Sequence, residues 1–504
     1  MPDRRCVFVF ADAPCSDIAT QHPHLVPFFP PTFSSTPTLA TPPMPILPSS
    51  TAPFGFLEPL HAYVLAHSEP LTWSNWWRLA VLPTIPLFLQ AVLLRKEGTR
   101  KDRLALAVVG IALLWHACLR YRFEQPWFNA LNNGISIGCM TLTVRYLEFA
   151  LIKGRLIDQY WEDKGQHWLV SAFDVCTNAR WIGLDPVEPR SNGIEKGGKR
   201  PKADKDVSVG TEVRPGHKAI SPARNYPPWV VVPNSPLSRS HATIRHLTIA
   251  FRNYVISDIL LSLLRSFGAD SIGSSTPVPG ALHRFSSDNT FVLFPKLGNG
   301  LESPWWLTEM AAVIAVALCV WLGLSMGYHA IAGVMVGTGL HEVEAWEIDL
   351  FDHPLKADSL LDFWGHRWHQ FFRHSFTLVA TQTLRFLHLP VTSTYVLGLS
   401  FFFSGAMHAL GQFTMDPVPA LFPIFVLFPI SGLGCALEVQ FKRWTGKKVG
   451  GFWGRLWTWS VMLITGRWAA IAWFESGVGG SYLCPAWAGD LLKPFILEWI
   501  LNRK

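Results

Sequence analysis

Apolar residues along this 504-residue chain fall into long blocks, at about 76–94, 104–119, 133–152, 247–265, 308–326, 391–411, 418–437 and 457–474. A helix needs roughly 20 such residues to cross the hydrocarbon core of a bilayer. The pattern therefore predicts an all-α, polytopic membrane protein with about eight transmembrane helices. A weaker, Gly-rich stretch at 328–340 reads as half of a broken or re-entrant helix, and 491–501 as a last span or a surface helix. Residues 1–55 are rich in Pro, Ser and Thr and lack the apolar core of a secretory signal, which predicts disorder. Met44 precedes sequence typical of a membrane-protein start, so an over-extended gene model is an open alternative there. Residues 56–504 are expected to form the membrane domain, with a flexible basic loop at about 184–245.

Composition sharpens the class. Hydrophobic residues make up 49% of the chain and charged residues 16%, against about 25% charged in an ordinary soluble protein. Many of the 23 tryptophans sit at the edges of apolar blocks (Trp73, Trp76, Trp77, Trp305, Trp306, Trp457, Trp459), as interfacial anchors do. The net charge of +7 is spread over connections, which suits loops facing anionic lipid and not a nucleic-acid footprint. The eight cysteines show no CxxC pairing, so they read as small buried hydrophobes without a zinc or redox role.

Loop charge sets an orientation. The connection 95–103 is strongly basic and is placed on the cytosolic side. Counting spans from there puts 153–245, 341–390 and 441–449 on that side too.

Within 341–390 lies the run Ser-Leu-Leu-Asp-Phe-Trp-Gly-His-Arg-Trp-His-Gln-Phe-Phe-Arg-His at 359–374. Ionisable groups beside membrane spans are costly and mark functional sites by default. If 362–374 is one helix, His366, His369 or Gln370, and Arg373 share a face, with Trp364, Trp368 and Phe371 or Phe372 on the adjoining one. Such a helix suits the protein–water boundary of a membrane cavity. Arginine forks favour phosphate, so Arg367 and Arg373 are candidates for a phosphorylated carrier. Asp362 reads as a helix cap or an arginine partner. A second run, Phe401 to His408, sets a lone histidine in an uncharged span. A neutral imidazole there can take a proton from an alcohol, or it can simply bridge two helices.

The stretch Ser359 to Gln370 resembles the signature of the wax-synthase-like branch of the membrane-bound O-acyltransferases, whose fungal members acetylate terpenoid and related secondary metabolites. Pro354-Leu355, Phe403-Ser404-Gly405 before His408, and Asn178-Ala179-Arg180-Trp181-Ile182-Gly183 (the family's Arg-x-Ile-Gly element) support it. The similarity covers roughly 170–475 and departs at His366, where the family usually carries an arginine. It implies that His408 is the base and that His369 orients the acyl donor or polarises its carbonyl. Arg367, Arg373, Trp364, Trp368, Gln370 and Ser404 are then expected to bind substrate around an intramembrane tunnel.

The resemblance further implies acyl-CoA, acetyl-CoA by preference, as cosubstrate and a hydrophobic terpenoid or meroterpenoid alcohol as acceptor. No bound cofactor, metal or nucleic acid is expected, and the endoplasmic reticulum membrane is the expected location. Long-chain acyl transfer to a fatty alcohol, giving wax esters, is the alternative within the class. A transporter explains the spans and basic loops but not the Trp-Gly-x-Arg-Trp-His run. A di-iron desaturase needs clustered HxxHH boxes that the sequence lacks.

Overall fold

The computed structural model describes residues 54–158, 167–178, 180–182, 184–187, 237–289, 292–293 and 301–482. The expectations for the N-terminal 53 residues, for most of the 184–245 loop and for 491–501 lie outside the described residues.

Each apolar block becomes helix. The first is α1 (Thr84–Leu93), preceded by the short helix Trp76–Ala80 and parted from it at Pro83. Then come α2 (Arg100–Arg120), α3 (Asn129–Leu151), the short α4 (Trp168–Thr177), α5 (Arg239–Ser266) and α6 (Trp305–Gly337). The last four are α7 (Arg373–Phe386), α8 (Ser393–Gly411), α9 (Leu421–Thr445) and α10 (Gly451–Glu475). Among the described residues, six helical stretches are long and apolar enough to cross a membrane: Trp76–Leu93, Arg100–Arg120, Arg239–Ser266, Trp305–Gly337, Ser393–Thr414 and Leu421–Thr445. The more polar α3 and α10, of 23 and 25 residues, lie alongside them. The protein is a predominantly helical polytopic membrane protein; among the described residues its strands are two- to four-residue pairs, the longest joining Arg155–Asp158 antiparallel to Leu184–Val187.

One expectation fails here. Residues 328–337 are not a separate half-helix; they continue α6 to a length of 33 residues, about 50 Å at 1.5 Å per residue. The glycines that suggested a break serve packing instead. A Cβ on Gly333 would lie 2.6 Å from Leu247, and one on Gly337 would lie 3.1 Å from Thr243, so both let α5 approach closely, as small residues do between membrane helices.

The helices pack in succession. One apolar core joins α1, α2 and α3 to Leu156, Val175 and Leu184. A second joins α5, α6 and α10 to the 267–285 segment. Between them α8 packs on α3, α7 and α9.

Hydrogen bonds between connections sort these into two faces. On the first, Leu156 N–H donates to Leu94 O at 2.8 Å, Arg239 to His341 O at 2.9 Å, and Gly451 N–H to Asp358 Oδ2 at 3.2 Å. On the second, Arg122 meets Asp416 at 3.1 Å, Arg265 donates to Ser481 O at 2.8 Å, and Tyr482 N–H to Trp127 O at 3.0 Å. Alternating passage of eight helices generates that grouping, and it places the 338–392 connection on the first face.

Candidate active site

The 338–392 connection does not stay at its face. Ser359 caps a single helical turn, Leu360–Asp362, its hydroxyl accepting from Asp362 N–H at 3.0 Å. The chain then widens into a π-type turn over Phe363–Arg367, closed by Trp368 N–H to Phe363 O at 2.8 Å, a distortion often found at functional sites. At Trp368 the backbone becomes extended (ψ 154°), and helix resumes only at Arg373. The single helix expected over 362–374 is therefore two helical pieces around a tip at 368–372. The hydrogen bonds of the tip explain the break: Gln370 Nε2 donates to Trp368 O at 2.6 Å and Trp364 O at 3.2 Å, and Arg373 donates to Gly365 O at 2.5 Å. Side chains thus take carbonyls that a continuous helix would have used.

This hairpin enters the bundle. The Phe372 ring lies edge-on to His408, with centroids 6.3 Å apart. His408 is fifteen residues along α8 from Ser393, about 22 Å from the first face by helical rise. The tip is accordingly deep inside the protein, and the expected water-boundary helix is a re-entrant hairpin.

His369 and His408 come together at that depth. Phe372 also lies edge-on to His369, at 5.4 Å, so one ring touches both imidazoles. His408 Nδ1 is 2.7 Å from Ser404 O. A backbone carbonyl only accepts, so Nδ1 carries the proton, and in the neutral ring Nε2 is the basic nitrogen. No hydrogen bond to Nε2 occurs among the described residues. Phe428 stacks on the ring at 4.2 Å, and Gln412 Nε2 donates to His408 O at 3.0 Å. His369 Nδ1 is sealed from solvent without a hydrogen-bond partner, and its ring meets Phe351 at 5.8 Å. Trp364 Nε1 is likewise buried without a partner, and its ring touches both Phe401 and Phe428.

The other expected residues divide. Trp364, Trp368, Gln370 and Arg373 all belong to the hairpin. Arg367 pairs with Asp362 through Nε and donates to Asp352 O at 3.3 Å, so in this conformation it braces the turn. Ser404 contributes its carbonyl to His408. His366, where the sequence departs from the family pattern, is half exposed and 3.8 Å from Asp362. The Arg180-Trp181-Ile182 element does not reach His408; Arg180 donates to Tyr328 Oη at 3.0 Å and Ile348 O at 2.5 Å, tying α6 to the 338–392 connection.

Sequence reasoning passed over two buried acids. Glu438 of α9 accepts from Leu360 N–H (2.7 Å), Leu361 N–H (3.0 Å) and Trp457 Nε1–H (3.0 Å). Glu148 of α3 accepts from Trp181 Nε1–H at 3.1 Å and lies 3.1 Å from His374 Nε2. The available signal was a carboxylate inside an apolar block, which lipid penalises as it does histidine. Among the described residues no group of three or more His, Cys, Asp or Glu is placed to hold a metal ion.

A polytopic helical bundle with a histidine-bearing re-entrant hairpin defines the structural class, and residues 346–430, which contain that hairpin and His408, match the model of the Membrane bound O-acyl transferase family. Individual relatives extend the similarity. The chain is 30% identical over 139 residues to the acetyltransferase eriL of Hericium erinaceus, covering 25% of this chain and 35% of that protein. It is 27% identical over 169 residues to the acetyltransferase ple2 of Rhodocybe pseudopiperita, covering 32% and 41%. It is also 29% identical over 127 residues to the probable long-chain-alcohol O-fatty-acyltransferase 1 of Arabidopsis thaliana, covering 23% and 33%. The matched stretches thus span well under half the length of each relative.

Proposed function

We propose that this chain is an acyl-CoA-dependent O-acyltransferase that moves an acetyl group onto a hydroxyl of a hydrophobic alcohol, with terpenoid or meroterpenoid acceptors as the substrate class. The observation that carries the reading is the state of His408. Its Nδ1–H is committed to Ser404 O and its Nε2 has no partner among the described residues, in the segment that matches the acyl transferase family.

The chemistry follows from that tautomer. His408 Nε2 takes the acceptor's hydroxyl proton as its oxygen attacks the thioester carbonyl carbon. The carbonyl electrons move onto oxygen, and His369 stabilises that oxyanion, a contribution of about 10²–10³ in rate for one well-placed donor. Collapse breaks the C–S bond, and the CoA thiolate recovers the proton from His408. No acyl-enzyme is needed. CoA enters from the first face, where Arg367 would exchange Asp362 for a phosphate and Arg373 stands on the other arm of the hairpin.

Two observations support acetyl over a longer acyl group. Phe428, Phe372 and Trp364 crowd the surroundings of His408 with aromatic rings, and eriL and ple2 bear the name acetyltransferase. The Arabidopsis relative favours the second reading, long-chain transfer to a fatty alcohol. The test is an assay on microsomes expressing the chain, offering acetyl-CoA or palmitoyl-CoA with pooled terpenoid and fatty alcohols. Acetyl esters of terpenoids bear the proposal out, palmitoyl esters select the second reading, and no ester from well-expressed protein overturns both.

A further inference from the structure

A buried carboxylate stands at each end of the re-entrant hairpin. Glu438 and Glu148 are 4% and 5% exposed and come from different helices, α9 and α3. Each accepts one tryptophan indole N–H, from Trp457 at 3.0 Å and Trp181 at 3.1 Å. Each then takes an end of the hairpin. Glu438 receives the Leu360 and Leu361 N–H groups, which begin the descending arm. Glu148, which also lies 3.6 Å from Arg145, has Oε1 3.1 Å from His374 Nε2 in the first turn of the ascending arm, a close approach without a hydrogen bond. Every hairpin residue assigned to substrate or catalysis, from Trp364 to Arg373, lies between these two points.

The geometry suits anchoring. The first turn of a helix leaves N–H groups without intrahelical partners, and a carboxylate is the best acceptor to offer them. Burial makes the arrangement costly to break, because a low-dielectric surround supplies no water in exchange. Packing accompanies the first anchor: a Cβ on Gly434, one turn before Glu438, would lie 2.4 Å from the Leu360 side-chain methyl, so that side chain seats directly against α9. Of the hairpin's other hydrogen bonds, Arg367 to Asp362, Arg373 to Gly365 O and Gln370 to Trp368 O are internal and fix its shape. Arg367 also donates to Asp352 O at 3.3 Å and its carbonyl accepts from Asp352 N–H at 3.0 Å, which ties the turn to the connection just upstream.

We infer that Glu438 and Glu148 are positioning residues that fix His369 relative to His408, with Glu438 the stronger because three donors converge on it. The inference rests on the acyltransferase reading for its kinetic consequence but not for its structural one.

The experiment pairs both readouts on full-length protein. Glu438→Gln keeps the shape but turns an amide NH₂ onto donors. It should lower kcat at least tenfold, leave KM for acetyl-CoA within about threefold, and cost nothing further in a His369→Ala background, since a residue acting through His369 has nothing left to place. Glu148→Gln should do the same more weakly. In detergent solution, trypsin should cut Glu438→Gln after Arg367 or Arg373 while the wild type resists. If Glu438→Gln does not elute as a folded monodisperse species, Trp457→Phe removes one donor alone, and a threefold to tenfold fall in kcat is expected. Full kcat in folded Glu438→Gln, or an equal fall in the His369→Ala background, overturns the assignment. Should wild type transfer no acyl group, the acyltransferase reading fails, and the tryptic pattern still decides whether the carboxylates hold the hairpin.

Discussion

Two pairs of histidines lie inside this bundle, and they are built to opposite ends. His246 of α5 and His329 of α6 meet directly, Nδ1 to Nδ1 at 2.8 Å, with rings 5.1 Å apart and His329 Nε2 3.8 Å from Asp349. Each nitrogen in that contact satisfies the other, and the pair joins two helices. His369 and His408 instead share a contact with Phe372, and among the described residues only His408 Nδ1 of that pair has a hydrogen bond. A buried polar atom without a partner is costly. A site that keeps such atoms open is suited to receive a ligand's. The contrast lies in whether the imidazole nitrogens are occupied, and it is the unoccupied pair that carries the proposed chemistry.

Substitutions can break that contrast. Phe428→Ala removes the ring stacked on His408 and opens space beside it. The ratio of acetyl to longer-chain transfer should fall about tenfold, read by competition between acetyl-CoA and octanoyl-CoA; an unchanged ratio would remove Phe428 from donor selection. His329→Leu should act on the other pair. It leaves His246 Nδ1 buried without a partner, a cost of about 1–3 kcal/mol, so the melting temperature should drop while kcat stays within about twofold of wild type. A kcat loss comparable to that of a hairpin histidine would erase the distinction.

A fifth histidine shows the occupied condition outside the spans. Trp346 Nε1–H donates to His341 Nδ1 at 3.1 Å, so the proton sits on Nε2, which bonds Thr177 Oγ1 at 2.9 Å and lies 3.4 Å from Asp174. Burial pushes His341 down to about 4 from an ordinary 6.5. Between those values the folded chain binds fewer protons there than the unfolded one, so this contribution is full above pH 6.5 and is lost towards pH 4, about 3 kcal/mol in all. Burial raises the Asp174 carboxyl well above its usual range, with Asp158 adding to the shift. The folded chain therefore holds a proton that the unfolded chain releases, and this favours low pH. The two slopes oppose each other. His341→Gln removes one of them, so its melting temperature relative to wild type should rise as pH falls from 6.5 to 4; parallel curves would contradict the assignment.

Much of the fold was legible because lipid restricts what can cross it. Blocks of about 20 apolar residues had to be helices, and His408 stood out as the lone ionisable group in its block. The hairpin was not legible. The spacing of His366, Gln370 and Arg373 fits a helix as well as it fits the tip, and the choice is made by Gln370 and Arg373 taking local carbonyls and by Glu438 and Glu148 at the ends. Those acids were visible as charges within apolar blocks, but their partners lie tens to hundreds of positions away and no local pattern names them. The glycines at 333 and 337 misled for the same reason: their use is set by α5, which the local sequence does not contain.

The central claim is that His408 Nε2 is the base, and it is tested most directly by acetyl-ester formation in microsomes carrying His408→Ala beside His329→Leu at matched expression. The account predicts a loss of about 10³-fold or more in His408→Ala, in line with removal of a general base, with its gel-filtration profile unchanged and His329→Leu still active. Turnover retained by folded His408→Ala would contradict it.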